Sequence, residues 1–237
     1  MVNRVATGAR RHRWQRWLIA GAVVVVVLAV GVPFVYIHFI EGSPPPAFTL
    51  GTAPSAGAQL SAKELDGVWR IRSGSQAGYR VKEVLAGQPN TAVGRGSGVT
   101  GSLTITGTSV SAATFTVDLR TVTSDSSERD AQFNGRIMDT AQFPNAVFTL
   151  TSPITFDPLP KVNQTVHVQA KGTLAMHGVT KPVTATLAAR DSGSRIAITG
   201  SIPVVFADWN IANPSFGSFV KTEDNGVIEV DLTTARS

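Results

Sequence analysis

Ser127–Leu150 reads SERDAQFNGRIMDTAQFPNAVFTL, and the change of period inside it decides the fold. Strand-like alternation precedes this stretch and resumes after it. Within it, Phe133, Ile137 and Met138 recur at helical spacing, with Ala141 next on the same face. Ser127 is the N-cap candidate, and Asp130 stands where a capping-box acid would. Phe143-Pro144 ends the helical reading, because proline disfavours the α region for the residue before it. A single short helix among strands needs an apolar surface to cover. The alternation on either side supplies one, at the end of a barrel.

Upstream, Phe115, Val117 and Leu119 alternate with Thr114, Thr116 and Asp118. Downstream, Ala146, Phe148 and Leu150 repeat the pattern. Val166, Val168, Ala170, Leu174 and Met176 follow on one phase, then Val183, Ala185, Leu187 and Ala189. Ile196, Ile198, Val204 and Phe206 lead to a last strand, Val227–Leu232. Gly107, Asn163, Gly178, Ser192-Gly193 and Asn225-Gly226 fall between the runs, where turns belong. Such alternation gives each strand one wet and one dry face. About eight antiparallel strands of this kind make a closed barrel or a sandwich. The predicted fold is mainly β: an antiparallel eight-stranded barrel with one short helix, preceded by an N-terminal transmembrane helix.

The N-terminus is of a different kind. Trp17–Ile40 contains no fixed charge over 24 residues, about 36 Å as a helix at 1.5 Å per residue. That exceeds the roughly 30 Å hydrocarbon core and the about 7–15 apolar residues of a cleaved signal. Arg4, Arg10, Arg11, Arg13 and Arg16 precede it, with no acid before residue 41. The positive-inside rule therefore predicts a single-pass cell-membrane anchor, with its N-terminus cytoplasmic and the C-terminal domain extracellular or periplasmic. Four regions follow: a basic tail 1–16, an anchor 17–40, a linker 41–64 rich in proline, glycine and alanine, and a barrel domain 65–237. The linker reads as a tether, semi-extended near Pro44-Pro45-Pro46 and flexible beyond.

Charge and composition exclude several functions. Five of the 21 basic residues lie in the tail, so the remaining 16 balance all 16 acidic ones. A neutral domain lacks the basic stripe that nucleic-acid binding requires. The absence of cysteine removes disulfides, thiol catalysis and thiolate metal sites. Gly96-Ser-Gly98-Val-Thr-Gly101 fits G-x-G-x-x-G, but a strand follows it where a dinucleotide site needs a helix. No serine occupies a G-x-S-x-G elbow. His167 falls on the outward phase of its strand and His177 in a turn, neither with a metal-ligand partner at zinc spacing. Asp125, Glu128 and Asp130 read as acids favoured at a helix N-terminus. No catalytic residue and no metal ligand is expected.

The inward phases and the helix carry the remaining chemistry. An eight-stranded barrel is just wide enough to be filled by side chains or to hold one small ligand. Ala170, Ala185 and Ala189 leave room for the second outcome. Candidate lining residues for an apolar ligand are Phe115, Val117, Leu119, Phe148, Leu150 and Leu174 from the strands, with Phe133, Ile137, Met138 and Phe143 from the helical stretch. Phe206, Trp209, Phe216 and Phe219 join them from the late segment. The helix is expected to cap one end of the tunnel and to move if a ligand enters there. A barrel filled by its own side chains, serving as a structural or interaction module, is the alternative.

Five segments resemble the YceI-like family of lipocalin-like barrels that bind polyisoprenoid-type lipids. They are Gly67-Val-Trp69-Arg-Ile71 with Gly78-Tyr79-Arg80-Val81-Lys82; Val99–Ile105; Arg129–Asp139 with Phe143–Phe148; Gly172-Thr-Leu174-Ala-Met176-His-Gly178-Val-Thr180-Lys-Pro182-Val183; and Phe206–Ile211 with Phe216-Gly217. The resemblance covers about residues 67–235. It implies a hydrophobic lipid, such as an isoprenoid, as ligand, with no other cofactor. Three features depart from the pattern. Glu83 replaces a histidine and Ala207 an arginine, and Leu85–Arg95 is lengthened and glycine-rich, as in a mobile loop. Relatives are mostly secreted, so a retained anchor is a departure in architecture.

Overall fold

The structure, a computed structural model, describes Ala22, Val24, Val25 and residues 44–85, 87–217 and 220–237. The expected membrane helix at 17–40 falls almost wholly outside these residues, and so does Phe219. Ala22, Val24 and Val25 are helical. Among the described residues no helix is long and apolar enough to cross a membrane. Residues 1–43 and 44–237 are separate compact units.

Among the described residues the second unit has twelve strands: β1 Gly67–Ile71, β2 Gln76–Leu85, β3 Gln88–Gly96, β4 Val99–Thr106, β5 Ser109–Asp118, β6 Asn145–Leu150, β7 Ile154–Thr155, β8 Thr165–Met176, β9 Val179–Asp191, β10 Arg195–Val205, β11 Val220–Thr222 and β12 Asn225–Arg236. Every pairing is antiparallel, and the order β1-β4-β5-β6-β8-β9-β10-β12 closes because β12 also pairs β1. This is an eight-stranded barrel. β1 and β2 act as one bent strand: β12 pairs β1 through Thr234–Arg236 and β2 through Val227–Asp231. β3 and β4 form its partner in the same way. Leu85–Arg95 is therefore not a loop; β3 occupies most of it, register-matched to β2 from Ala77↔Gly96 to Leu85↔Gln88.

Two ends follow from the strand directions. One end carries the β2–β3 hairpin, the helical stretch 119–144, the β8–β9 turn and residues 206–224. The other carries helix α1, Ala62–Leu65, the β4–β5 turn, residues 151–164 and the β9–β10 turn. The β8–β9 turn needs two residues at positive φ, which His177 at 49° and Gly178 at 76° supply. A Cβ on Gly178 would stand 2.9 Å from the Phe143 ring.

The helix after β5, α2, spans Ser127–Gln132 and passes into a π-turn, Phe133–Ile137. Its N-cap is Ser126, one residue before the expected Ser127, and the Ser126 hydroxyl accepts from the Arg129 N–H at 3.3 Å. Asp130 does not close a capping box. Its Oδ1 accepts from the Ser124 N–H at 2.8 Å and hydroxyl at 2.7 Å, so it ties the entering loop to the helix. The π-turn lengthens the period by one residue, which keeps Phe133 and Met138 buried and leaves Ala141 exposed.

The segment from Pro44 to Leu60, expected as a flexible tether, is strapped along the barrel. Arg80 and Arg95 donate to the carbonyls of Pro45 and Pro46, and the Arg95 guanidinium lies 3.8 Å from the centre of the Phe48 ring. Both arginines pair with Glu229, at 3.1 and 2.8 Å. Glu229 sits on the outward phase of β12 yet is buried under this strap. Further along, Arg190 donates to the carbonyls of Leu50, Gly51 and Thr52, and the Gly57 N–H bonds the Val162 carbonyl at 2.8 Å. Carbonyls freed by the prolines, which cannot form a strand ladder, find cationic donors on the wall instead.

Candidate functional site

Inward-facing side chains divide into two apolar layers. At the helix end, Leu119, Val122, Phe133, Met138, Met176, Val204, Phe206, Trp209 and Ile211 form a buried cluster. The Phe133 and Tyr79 rings stack with centroids 5.1 Å apart. The Trp209 indole N–H donates to the Leu174 carbonyl at 3.3 Å, and the Trp209 carbonyl meets His177 Nδ1 at 2.9 Å. Glu83, inward on β2, accepts from Asn90 at 2.9 Å and pairs with Arg129 of α2 at 3.4 Å. Arg129 also bonds Asp125. Burial pushes the Tyr79 phenol up to about 12, against the pull of nearby Arg129, so it stays neutral across physiological pH.

Beneath this plug lies a cavity that continues to the other end. Its walls come from alternate residues of β4, β5, β6, β8, β9, β10 and β12, and its far rim from Leu60, Leu65, Phe156, Leu159, Pro160 and Gln164. It leaves about 170 Å³ for the centres of water-sized spheres, where one water needs roughly 10–15 Å³ on that measure. Thr108 and Gln164, both in the lining, are exposed, so the cavity opens at this end; Ala146 and Leu174, its deepest residues, are buried. The walls are apolar almost throughout. Such a space suits a chain-like apolar molecule, with burial contributing roughly 25 cal/mol per Å² before the costs of binding.

The room has a source in the sequence. Ala113, Ala170, Ala185 and Ala189 sit on inward phases, where larger residues would meet in the middle. Gly172 does the same for one aromatic: a Cβ there would stand 2.5 Å from the Phe148 ring. Phe148 packs close to the β8 backbone at Gly172 and lines the lumen from there.

Five of the fourteen candidate lining residues, Phe115, Val117, Phe148, Leu150 and Leu174, face the cavity. Leu119, Phe133, Met138, Phe206 and Trp209 are buried in the plug, and Ile137 packs against it. Phe143 stacks edge-on to His177, with centroids 4.9 Å apart. Phe216 is exposed, at 71%. The helix therefore covers the closed end, and the opening is opposite it. Strand periodicity cannot separate the two layers, because Met176 and Val204 of the plug share the inward phase of the lumen residues, while Phe133, Met138, Phe206 and Trp209 come from helical turns that it does not describe. Val99, Leu103, Ile105, Ile196, Ile198 and Leu232 line the cavity beyond that set. Their alternation marks them as inward but not their height in the barrel. Asp191 also faces the cavity, on the phase of Ala185, Leu187 and Ala189.

The residues weighed for catalysis do not converge. His167 is exposed on β8, His177 is held in the β8–β9 turn, and Asp125 and Asp130 serve α2.

A family model described as the YceI-like domain matches residues 69–234. No curated protein matches the chain. Among solved structures, a polyisoprenoid-binding domain from Saccharophagus degradans implicated in plant cell wall breakdown superposes with a TM-score of 0.59 at 16% identity, covering 72% of this chain and 99% of that one. BcnA of Burkholderia cenocepacia superposes with a TM-score of 0.53 at 16% identity, covering 67% of this chain and 95% of its own. At this identity the likeness establishes the fold.

Proposed function

The chain belongs to the YceI-like domain family, and from that premise we propose that it holds a long-chain isoprenoid or similar amphiphilic lipid inside the barrel, as a carrier or reservoir. The observation that carries this reading is the apolar cavity, open at one end and stoppered at the other. A tail enters at the rim formed by Leu60, Leu159 and Pro160 and lies along the alanine-lined walls. The polar head remains near the rim. The binding domain of Saccharophagus degradans, which shares the fold, supports an isoprenoid over other apolar chains.

In this reading the protein is a binder and not an enzyme, and the lipid is its ligand, with no other cofactor. The N-terminal apolar stretch ties it to the cell membrane, with the barrel on the extracytoplasmic side. That arrangement shortens the path between bilayer and cavity. Organic extraction of the purified full chain, followed by mass spectrometry, tests the proposal. A near-stoichiometric isoprenoid or other long-chain lipid is the expected result. Absence of any lipid, together with no uptake of added polyprenol, would overturn it in favour of a structural module.

A further inference from the structure

The cavity is apolar except at its rim, and one polar atom there stands out. Asp191 ends β9 on the inward phase and is only 7% exposed. Its Oδ1 accepts from the Gly193 N–H at 2.6 Å, which shapes the β9–β10 turn. Its Oδ2 is buried and has no hydrogen-bond partner within the protein. Buried carboxylate oxygens are rarely left in that state, because the desolvation cost goes unrecovered. The neighbouring Arg190 does not recover it, since its donors are taken by Thr165 and by the strap carbonyls on the outer face.

We propose that Asp191 Oδ2 receives a hydrogen bond from the head of the bound lipid, so that the site selects a hydroxyl-headed isoprenoid over a phosphate-headed one. This rests on the lipid-binding reading above. A lipid entering tail first leaves its head at the rim, at the level of Asp191. A hydroxyl donates one proton and carries no charge, which matches a lone acceptor. A phosphate would bring negative charge against a buried carboxyl, with Glu64 on α1 a second acid acting on it and Arg236 on β12 a counterweight. An ether of the same chain offers no donor and leaves Oδ2 as unpartnered as before.

The test is displacement of tritiated geranylgeraniol from the full chain in phosphatidylcholine nanodiscs. The competitors are unlabelled geranylgeraniol, its methyl ether and its monophosphate. The alcohol is expected to compete about tenfold more effectively than the ether or the phosphate, the order of one buried hydrogen bond. In Asp191→Asn, which keeps the Gly193 contact and replaces the orphaned acceptor with a donor, the alcohol-to-ether preference should fall within about threefold. Equal competition by alcohol and ether in the wild type overturns the role of Asp191 and leaves lipid binding intact. Stronger competition by the phosphate, or an unchanged preference in Asp191→Asn, does the same. Failure of geranylgeraniol to bind specifically at all would overturn the lipid-binding reading, and this inference with it.

Discussion

The two ends of the barrel are built from the same kind of strand, with the same inward alternation, and reach opposite outcomes. At the helix end, large side chains from four separate segments meet: Phe133 and Met138, Phe206 and Trp209, Met176, and Tyr79. Polar ties lock them: Glu83 with Arg129, and the Trp209 carbonyl with His177. Below this plug the inward positions of β8 and β9 include Ala170, Ala185 and Ala189 among Val166, Val168 and Leu187, and what covers the rim is a short helix and the 151–164 loop. A barrel of this diameter is filled only when large residues from opposite walls meet. Whether it holds a plug or a lumen depends on side-chain volume at matched heights.

The contrast is tested most directly by truncating one aromatic in the plug and one in the cavity wall. Trp209→Ala removes a side chain that is 3% exposed and closely packed, and should cost about 3–5 kcal/mol. Phe148→Ala removes a ring already facing empty space, and should cost about 1–2 kcal/mol. Equal losses in urea denaturation would mean that the lumen is as well packed as the plug. Gly172→Ala probes the wall beneath Phe148. The new Cβ would stand 2.5 Å from both the ring and the Thr149 carbonyl, so strand and ring must separate, at about 1–3 kcal/mol. A melting temperature equal to wild type would show the wall to be looser than drawn.

Filling the lumen should do the reverse. Ala189→Phe places a ring in the cavity and should lower polyprenol uptake at least about tenfold, while stability moves by no more than about 1 kcal/mol. Uptake at the wild-type level would place the ligand elsewhere. The smallest effect concerns pH. Burial holds the Asp191 carboxyl above its usual range, against the Gly193 N–H and with Glu64 adding to the rise. The folded state then binds this proton more tightly than the unfolded chain. Stability should therefore fall as pH climbs from the ordinary carboxylate value through the raised one. Asp231 is raised too, again by burial, so the test is the difference between wild type and Asp191→Asn. The variant should lose part of the decline, and identical slopes would show that Asp191 titrates normally.

Much of the architecture was legible in the sequence. The alternation in β5, β6, β8, β9 and β12 predicted their inward faces, and the change of period from Ser127 predicted α2, while α1 is too short to show a period. The stretch Leu85–Arg95 reads as a loop because Gly87 and Gly94 resemble loop composition, yet most of it is strand β3. Gly94 is in fact what lets the Tyr79 ring lie over β3, where a Cβ would stand 2.4 Å from it. The site was legible only in part. Phe115, Val117, Phe148, Leu150 and Leu174 face the cavity, while Phe133, Met138, Phe206 and Trp209, equally apolar but carried by the helical turns that follow β5 and β10, close it off.

The sequence by itself determined which residues point inward, since a period of two is a local property of the strand. It also determined that the domain is neutral, free of cysteine, and preceded by a basic, apolar N-terminus. Only the tertiary structure decided which inward residues share a height. That depends on the register with which eight strands close on themselves, and register is set by pairs far apart in the chain, such as Trp69↔Arg236. The same closure puts the opening opposite the helix and leaves one carboxylate oxygen of Asp191 at its rim.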